Sequence, residues 1–456
     1  MGLAALVIGG GAPAAHAAGP PVRELEAHGM KAVGGTVLRQ RAGGGRVLVL
    51  RPGGFARAAV RTGDVGAVVV RGRARRCRQA AVRVVVNGTR SRPARLGGRW
   101  RDHLVGVGFP AGAHDVRIRF AGSRRERCRG LLDRVRLLRP PEAPAPAAEP
   151  LRRLPLGTSV IVSKLESEPR YRAALEATFR SVTPENEMKM EWLQPRKGVW
   201  NFAAADELVA FAEARGMDVR GHALVFGEQT PPWVGREWLL GDPRQSLRTH
   251  IHTVMRRYAG RVHTWDVVNE AFNDLGHYKP NPWLQVLGPR YVELAFRYAR
   301  EADPGARLVF NEFNAETDNR RRAATLDLVR DLEEKGLIDA VGLQMHTDLT
   351  TPPTRAELKD TLRRFAALGV EVEITEMDVI AKGLGTPDSL SYRLARQASI
   401  YRDAAAACAV VRACTRFTVW GVTDRYSWHG VEEMPLLLDA EYRPKPALDA
   451  VRWAIG

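Results

Sequence analysis

Eight short apolar runs constrain this chain more than any other feature. They are Leu154–Val160, Phe179–Glu185, Met217–Val225, Val262–Glu270, Arg307–Asn314, Ala340–His346, Glu371–Asp378 and Phe417–Asp424. Amphipathic stretches such as Phe202–Arg215 and Arg322–Lys335 lie between most of them. Strand and helix alternating over about 300 residues predict a (β/α)8 barrel with a parallel sheet. Polar residues gather at the ends of the runs: Glu185-Asn186, His222, Asn269-Glu270, Asn311-Glu312, Gln344, His346, Glu376 and Asp424. The C-terminal ends of barrel strands carry chemistry, and polar groups there cost stability, so this set marks a candidate site.

Two acids stand out within it. Glu270 ends the fourth run, Trp265-Asp266-Val267-Val268-Asn269-Glu270, and Glu376 lies near the end of the seventh, Val372 to Asp378. On strands three apart they can face each other across a barrel mouth. Glycoside cleavage needs such a pair, one carboxyl protonated to donate to the leaving oxygen and one ionised to attack or to polarise water. On chemistry alone a barrel Glu is equally a metal ligand or an arginine partner.

Charge divides the chain. Between Ala18 and Pro150 there are 28 Lys+Arg against 9 Asp+Glu, while the rest is almost neutral, with 41 against 42. The junction, residues 140–153, is a Pro/Ala run that behaves as a semi-stiff spacer. Before it, Val47–Leu50, Val65–Val70, Val82–Val86, Leu104–Val107 and Val116–Phe120 read as short strands. Gly43-Gly44-Gly45, Gly53-Gly54, Asn87-Gly88 and Gly97-Gly98 read as the turns between them. That pattern predicts a small all-β sandwich over residues 18–139. Residues 1–17 have an apolar stretch, Leu3 to Gly11, and a small-x-small site at Ala15-His16-Ala17, the form of a signal peptide without its basic start. After them no run of 18 apolar residues occurs, so no membrane span is expected.

From Leu154 to Gly456 the chain resembles glycoside hydrolase family 10. The resemblance rests on six motifs in the family's order. They are Val182-Thr183-Pro184-Glu185-Asn186-Glu187-Met188-Lys189, Val219-Arg220-Gly221-His222-Ala223-Leu224-Val225 and Trp265 through Ala271. Val341-Gly342-Leu343-Gln344-Met345-His346, Ile374-Thr375-Glu376-Met377-Asp378 and Val419-Trp420-Gly421-Val422-Thr423-Asp424 complete the set. The resemblance implies a retaining endo-β-1,4-xylanase on a (β/α)8 barrel, with Glu270 as acid/base and Glu376 as nucleophile. It implies that Asn269 hydrogen-bonds the 2-hydroxyl of the −1 sugar and that His346 orients the nucleophile. Glu185, Asn186 and Lys189 then clamp the −2 and −1 sugars, with His222, Gln229 and Gln344 completing the contacts. Trp420 and Trp428 match the indoles that stack on the glycone, since an aromatic ring suits the apolar face of a sugar. No cofactor and no metal are implied, and xylan or a related β-1,4-glycan is the expected partner.

The chain departs from the family in two places. Val225-Phe226-Gly227 replaces the usual Val-Trp-His, and Asn311-Glu312-Phe313 replaces Asn-Asp-Tyr. Both touch the substrate floor rather than the carboxyl pair, so they bear on substrate preference. Family members often carry a disulfide where Cys408 and Cys414 stand, and Cys77 and Cys128 form a second candidate pair in the first domain. Paired cysteines suit an exported protein, so a secreted monomer is expected, against the alternative of four reduced buried thiols.

The N-terminal region resembles Ca-dependent xylan-binding-type β-sandwich modules. It lacks their acidic loop: Ser123-Arg124-Arg125-Glu126-Arg127-Cys128 stands there with only Asp133 nearby, so calcium is not expected. Its basic charge admits three readings: contact with acidic plant polysaccharide, a solvated arginine-rich surface, or nucleic-acid binding. Sparse aromatics and the absence of a nucleic-acid motif argue against the last. A non-catalytic glycan-binding protein on a retired barrel, a family member with shifted β-glycan specificity, an inverting hydrolase and a transglycosylase remain the alternatives for the whole chain.

Overall fold

The computed structural model describes residues 21–39, 46–62, 65, 67–77, 80–87, 89–90, 94–96, 98–99, 101–105, 112–123, 127–138, 153–237, 241–381 and 390–456. The signal-peptide and linker readings, the turns at Gly43–Gly45, Gly88 and Gly97, Trp100 and the loop arginines Arg124 and Arg125 lie outside the described residues. The chain divides into two compact units, one of residues 1–143 with 383–396 and one of residues 144–382 with 397–456. Among the described residues no helix is long and apolar enough to cross a membrane.

The larger unit is a closed barrel of eight parallel strands: β1 Leu156–Val160, β2 Ser181–Pro184, β3 Asp218–Phe226, β4 Thr264–Asn269, β5 Arg307–Glu312, β6 Ala340–Leu343, β7 Glu371–Ile380 and β8 Cys414–Val419. Each strand pairs with its neighbour in chain order, and β1 with β8 closes the ring. These strands coincide with the eight apolar runs. They are buried almost throughout because helices cover them outside and side chains fill the barrel inside, which is why they read as continuous apolar runs. A short strand, His346–Asp348, runs beside the end of β7 and extends the sheet past the mouth. Cys408 and Cys414 are joined, with Cα atoms 5.2 Å apart.

The smaller unit is an antiparallel β-module with its own core, including Leu48, Leu50, Val82, Val84, Ile118 and Phe120. Ala80, Val82 and Val84 point inward while Ala81 and Arg83 lie between them on the outer face. This period-2 pattern gives the module its apolar inside and its arginine outside. Cys77 and Cys128 are bonded, with Cα atoms 4.9 Å apart. Asp133, the one acid left near the expected cation loop, is held by Arg71 and Arg134.

Two readings of this module are corrected. Gly53-Gly54 is not a turn: Arg46–Thr62 is one long strand running through it. Its partner strand Lys31–Arg39 pairs Val33 with Phe55 and then Gly35 with Leu50, so residues 51–54 bulge out, with Gly53 at φ 85°. A bulge needs backbone in a region that glycine enters freely. The second correction concerns Arg129–Leu138, a strand the apolar pattern missed. Its register shifts between Leu132 and Arg134, which breaks the inward-outward alternation at Asp133.

Candidate active site

Glu270 follows β4 directly and takes φ 56°, while its backbone N–H donates to Asn311 O at 2.9 Å. A non-glycine residue in the left-handed region is uncommon and here turns the side chain at the strand's end. Lys279 Nζ donates to Glu270 Oε2 at 2.8 Å and to Glu228 Oε1 at 3.1 Å. Gln344 Nε2 donates to the other oxygen, Oε1, at 3.2 Å.

Glu376 lies on β7 and is 4 % exposed. Asn311 Nδ2 donates to its Oε1 at 2.5 Å, and His346 Nε2 lies 3.3 Å from its Oε2. The same Asn311 amide donates to Asn269 Oδ1 at 2.9 Å, which also accepts from Gln344 Nε2 at 3.1 Å. Three side-chain amides from the ends of β4, β5 and β6 therefore connect the two carboxyls. A buried polar network of this kind fixes geometry when each member is satisfied.

Behind the histidine stands Asp378, two residues from Glu376 and so on the same side of β7. Its Oδ2 faces His346 Nδ1 at 2.9 Å and His429 Nε2 at 3.1 Å, and accepts from Trp428 Nε1 at 2.9 Å. Burial alone would raise its carboxyl, but His346 and His429 outweigh burial and bring it down to about 2. Burial works to lower His346, yet Asp378 and Glu376 carry it well above the ordinary histidine range. The imidazole is thus a cation set between two carboxylates. His346, Asp378 and His429 are the trio among the described residues whose ligand atoms lie within 4.8 Å of one another. Those atoms are turned toward each other and toward Glu376 in hydrogen bonds, so this trio is a positioning network, and no metal site is assigned to it.

The other expected residues fall around the same mouth. Glu185 follows β2, and burial pushes its carboxyl up to about 7 against the pull of Lys189. Lys189 is itself lowered by burial, against the opposing charges of Glu376, Glu185 and Glu270. Asn186 Oδ1 accepts from Lys189 Nζ and Gln229 Nε2, each at 3.2 Å. His222, on β3, lies 2.9 Å through Nδ1 from Asp266 Oδ2, and its ring meets Trp420 edge-on at 5.2 Å between centroids. Asp266 in turn binds Arg220, which also binds Glu373, a buried ionic floor beneath the site. Trp420 is buried, whereas Trp428 is 56 % exposed, with its ring 5.3 Å from His346. All twelve expected catalytic and binding residues are thus at the C-terminal mouth.

Sequence reasoning gave no role to four groups that the structure brings in: Asn311, Asp378, Lys279 and His429. Asn311 and Asp378 had a signal, since each sits at a strand end beside a named residue. Lys279 had none, because a loop closed by the Phe272–Tyr278 bridge carries it back to Glu270.

The two departures have local structural reasons. Phe226 is buried, and Lys189 Nζ stands 5.4 Å from its ring centroid. Gly227 faces Asn281: a Cβ placed on it would lie 2.7 Å from Asn281 Cβ. Asn281 caps the helix Pro282–Leu287 by accepting from Leu284 N at 2.9 Å, so it is not free to withdraw. In the second departure, Glu312 is fully buried and accepts from Phe272 N at 3.0 Å and Phe313 N at 3.2 Å. Burial, against those bonds and Arg321, pushes its carboxyl up to about 8.

Comparison with known proteins gives the following. Residues 148–454 match the model for "Glycosyl hydrolase family 10". Endo-1,4-beta-xylanase B of Thermotoga neapolitana is 38% identical over 290 residues, spanning 62% of this chain and 82% of that protein. Beta-1,4-xylanase of Dictyoglomus thermophilum is 40% identical over 299 residues, spanning 61% and 82%. Among solved structures, native xylanase 10B from Thermotoga maritima superposes with a TM-score of 0.62 at 36% identity, covering 66% of this chain and 94% of that one. Xylanase 10B from Thermotoga petrophila RKU-1 in complex with xylobiose gives 0.62 at 35% identity, covering 68% and 98%.

Proposed function

The chain belongs to glycosyl hydrolase family 10 and is an endo-1,4-β-xylanase, and on that footing we propose how its own residues cleave xylan and where the enzyme works. Glu376 is the nucleophile and Glu270 the acid/base of a double displacement that retains anomeric configuration. The observation that carries this reading is the amide chain from Glu270 through Gln344, Asn269 and Asn311 to Glu376.

In the first step Glu376 Oε attacks the anomeric carbon while Glu270 gives its proton to the departing glycosidic oxygen. In the second, Glu270 takes a proton from water, and that water displaces Glu376 from the sugar. Asn311 and the cationic His346 hold the nucleophile's two oxygens in place. Asn269 presents its amide to the 2-hydroxyl of the −1 sugar, where a hydrogen bond that tightens in the transition state accelerates the reaction. Glu185, Asn186, Lys189, His222, Gln229 and Gln344 hold the glycone hydroxyls, and Trp420 and Trp428 offer the ring faces.

The enzyme is exported, acts as a monomer, and its basic N-terminal module meets acidic polysaccharide in the wall. Paired cysteines in both units support export, since disulfides persist in oxidising compartments. The test is to incubate purified protein with soluble xylan, cellulose and pectin and to identify the released oligosaccharides, following the anomer formed first by NMR. Release of β-anomeric xylo-oligosaccharides is expected. First release of the α-anomer, or cleavage of cellulose in preference to xylan, overturns the reading.

A further inference from the structure

The excess charge of the module is organised around one aromatic ring. The acids near it are already engaged: Asp115 with Arg57 and Arg117, Asp133 with Arg71 and Arg134, Glu24 with Arg134. Arg51, Arg83, Arg119 and Arg127 have no such partner among the described residues. Phe55 lies opposite Arg119, and Arg119 lies opposite Arg83, in antiparallel register across three strands. Directly opposed residues share a sheet face. The flanking Ala56, Ile118 and Val84 are buried in the core, so the row Phe55–Arg119–Arg83 looks outward. One step along, Arg57 and Arg117 face each other on the same side. The guanidiniums of Arg117 and Arg119 stand 5.9 and 5.8 Å from the Phe55 ring centroid.

An open groove of about 420 Å³ runs from Arg83 and Arg119 over Pro52 and Gly53. A second, of about 480 Å³, shares Pro52 and Gly53 and continues past Arg51, Arg127 and Arg129. The bulge residues Pro52 and Gly53 line both grooves, and the first is an arginine-lined trough beside the Phe55–Arg119 pair.

We propose that this trough binds a uronic-acid-bearing glycan, with a pyranose ring against Phe55 and its carboxylate on Arg119 and Arg83. A neutral sugar offers an apolar face and no charge, so an aromatic ring and a guanidinium together select the sugar that carries a carboxylate. Planar guanidiniums bind carboxylates through paired N–H donors, and the two unpaired arginines sit on adjacent strands within reach of one chain. The inference rests on the reading of the chain as a xylan hydrolase whose basic module meets acidic polysaccharide, and it gives that contact a place and residues.

Polygalacturonate is the probe, because it carries the carboxylate without being a substrate of a xylanase. Affinity electrophoresis of the full chain is expected to show retardation by polygalacturonate and not by neutral arabinoxylan beyond what the barrel itself gives. Retardation should weaken from low to physiological salt, as exposed charges are screened over about 8–10 Å. R83Q/R119Q should weaken binding by at least about tenfold, since it removes two charge-assisted contacts. F55A, which leaves net charge unchanged, should weaken it by about fivefold through loss of ring stacking. R23Q/R61Q removes the same charge away from the row and should leave binding intact. Should F55A perturb the module's fold, the surface pair R83Q/R119Q still decides. Loss in R23Q/R61Q equal to that in R83Q/R119Q, or tighter binding of duplex DNA than of polygalacturonate, overturns the proposal. Hydrolysis of neutral xylo-oligosaccharides by the same samples judges the catalytic reading alone: normal hydrolysis without polygalacturonate binding sinks the trough and spares the barrel.

Discussion

Asn311 donates to Glu376 Oε1 at 2.5 Å, from a side chain that is itself fully buried. Its carbonyl oxygen accepts from Thr375 Oγ1 at 2.7 Å, so the amide cannot flip without losing both bonds. Asn311→Ala should therefore lower kcat by about 10²–10³, the loss seen when one preorganised donor to a reacting group is removed. KM should change little, because Asn311 faces Glu376 and Asn269 rather than solvent. A rise in KM with kcat intact would place Asn311 in substrate binding instead.

Removal of the carboxyls separates their roles. Glu376→Gln should nearly abolish turnover on every substrate. Glu270→Ala should cripple xylan hydrolysis yet spare the first step on aryl xylosides with good leaving groups, which need little protonation. Steady-state and burst kinetics on both substrate types check this. Near wild-type activity in Glu376→Gln would remove it as nucleophile.

Asp378 sets the behaviour with pH. His346 is raised by Asp378 and Glu376, so its charge persists below that raised value and is lost as pH climbs through it. Asp378→Asn removes one supporting charge and should move the alkaline loss of kcat to lower pH. Asp378 itself is depressed to about 2, so its contribution to stability is full above the ordinary carboxyl range and vanishes as pH falls toward that value. The variant should accordingly lose on the order of 2 kcal/mol at neutral pH, and the difference should close in acid, as denaturant titrations at several pH values would reveal.

The two disulfides should differ in weight. Cys77–Cys128 spans 51 residues and Cys408–Cys414 spans 6. In the chain-entropy view, closing the longer loop stabilises by about 4 kcal/mol and the shorter by about 2 kcal/mol. Cys77→Ser/Cys128→Ser should thus destabilise the module more than Cys408→Ser/Cys414→Ser destabilises the barrel. Calorimetry with two resolved transitions would show it.

Cutting after Pro150 should leave a barrel that folds and hydrolyses xylan with kcat unchanged. The barrel has a core of its own, from Leu156 to Ile455. An inactive or unfolded fragment would mean that the two cores depend on each other.

The barrel was legible because its strands are buried on both faces and its acids sit at their ends. The module was only half legible. Arg129–Leu138 hid because a bulge at Asp133 breaks its period, and Arg46–Thr62 read as a fragment because Gly53 and Gly54 resemble a turn. In the site, residues adjacent to a motif acid could be named from the chain itself. Lys279 could not, since only the fold returns it to Glu270. His429, next to Trp428, was passed over because nothing local says that its ring turns to Asp378.

The closeness of Gly227 to Asn281 couples what each position can hold. Placing an imidazole at this position would first require Asn281 to shrink, and Asn281 holds the start of the helix Pro282–Leu287. Either change made alone is harmful: the larger residue at 227 meets the cap, and the smaller one at 281 loosens the helix before any benefit arrives. A larger side chain at 227 therefore needs a matching change at 281, and the two positions form one steric unit at the edge of the site.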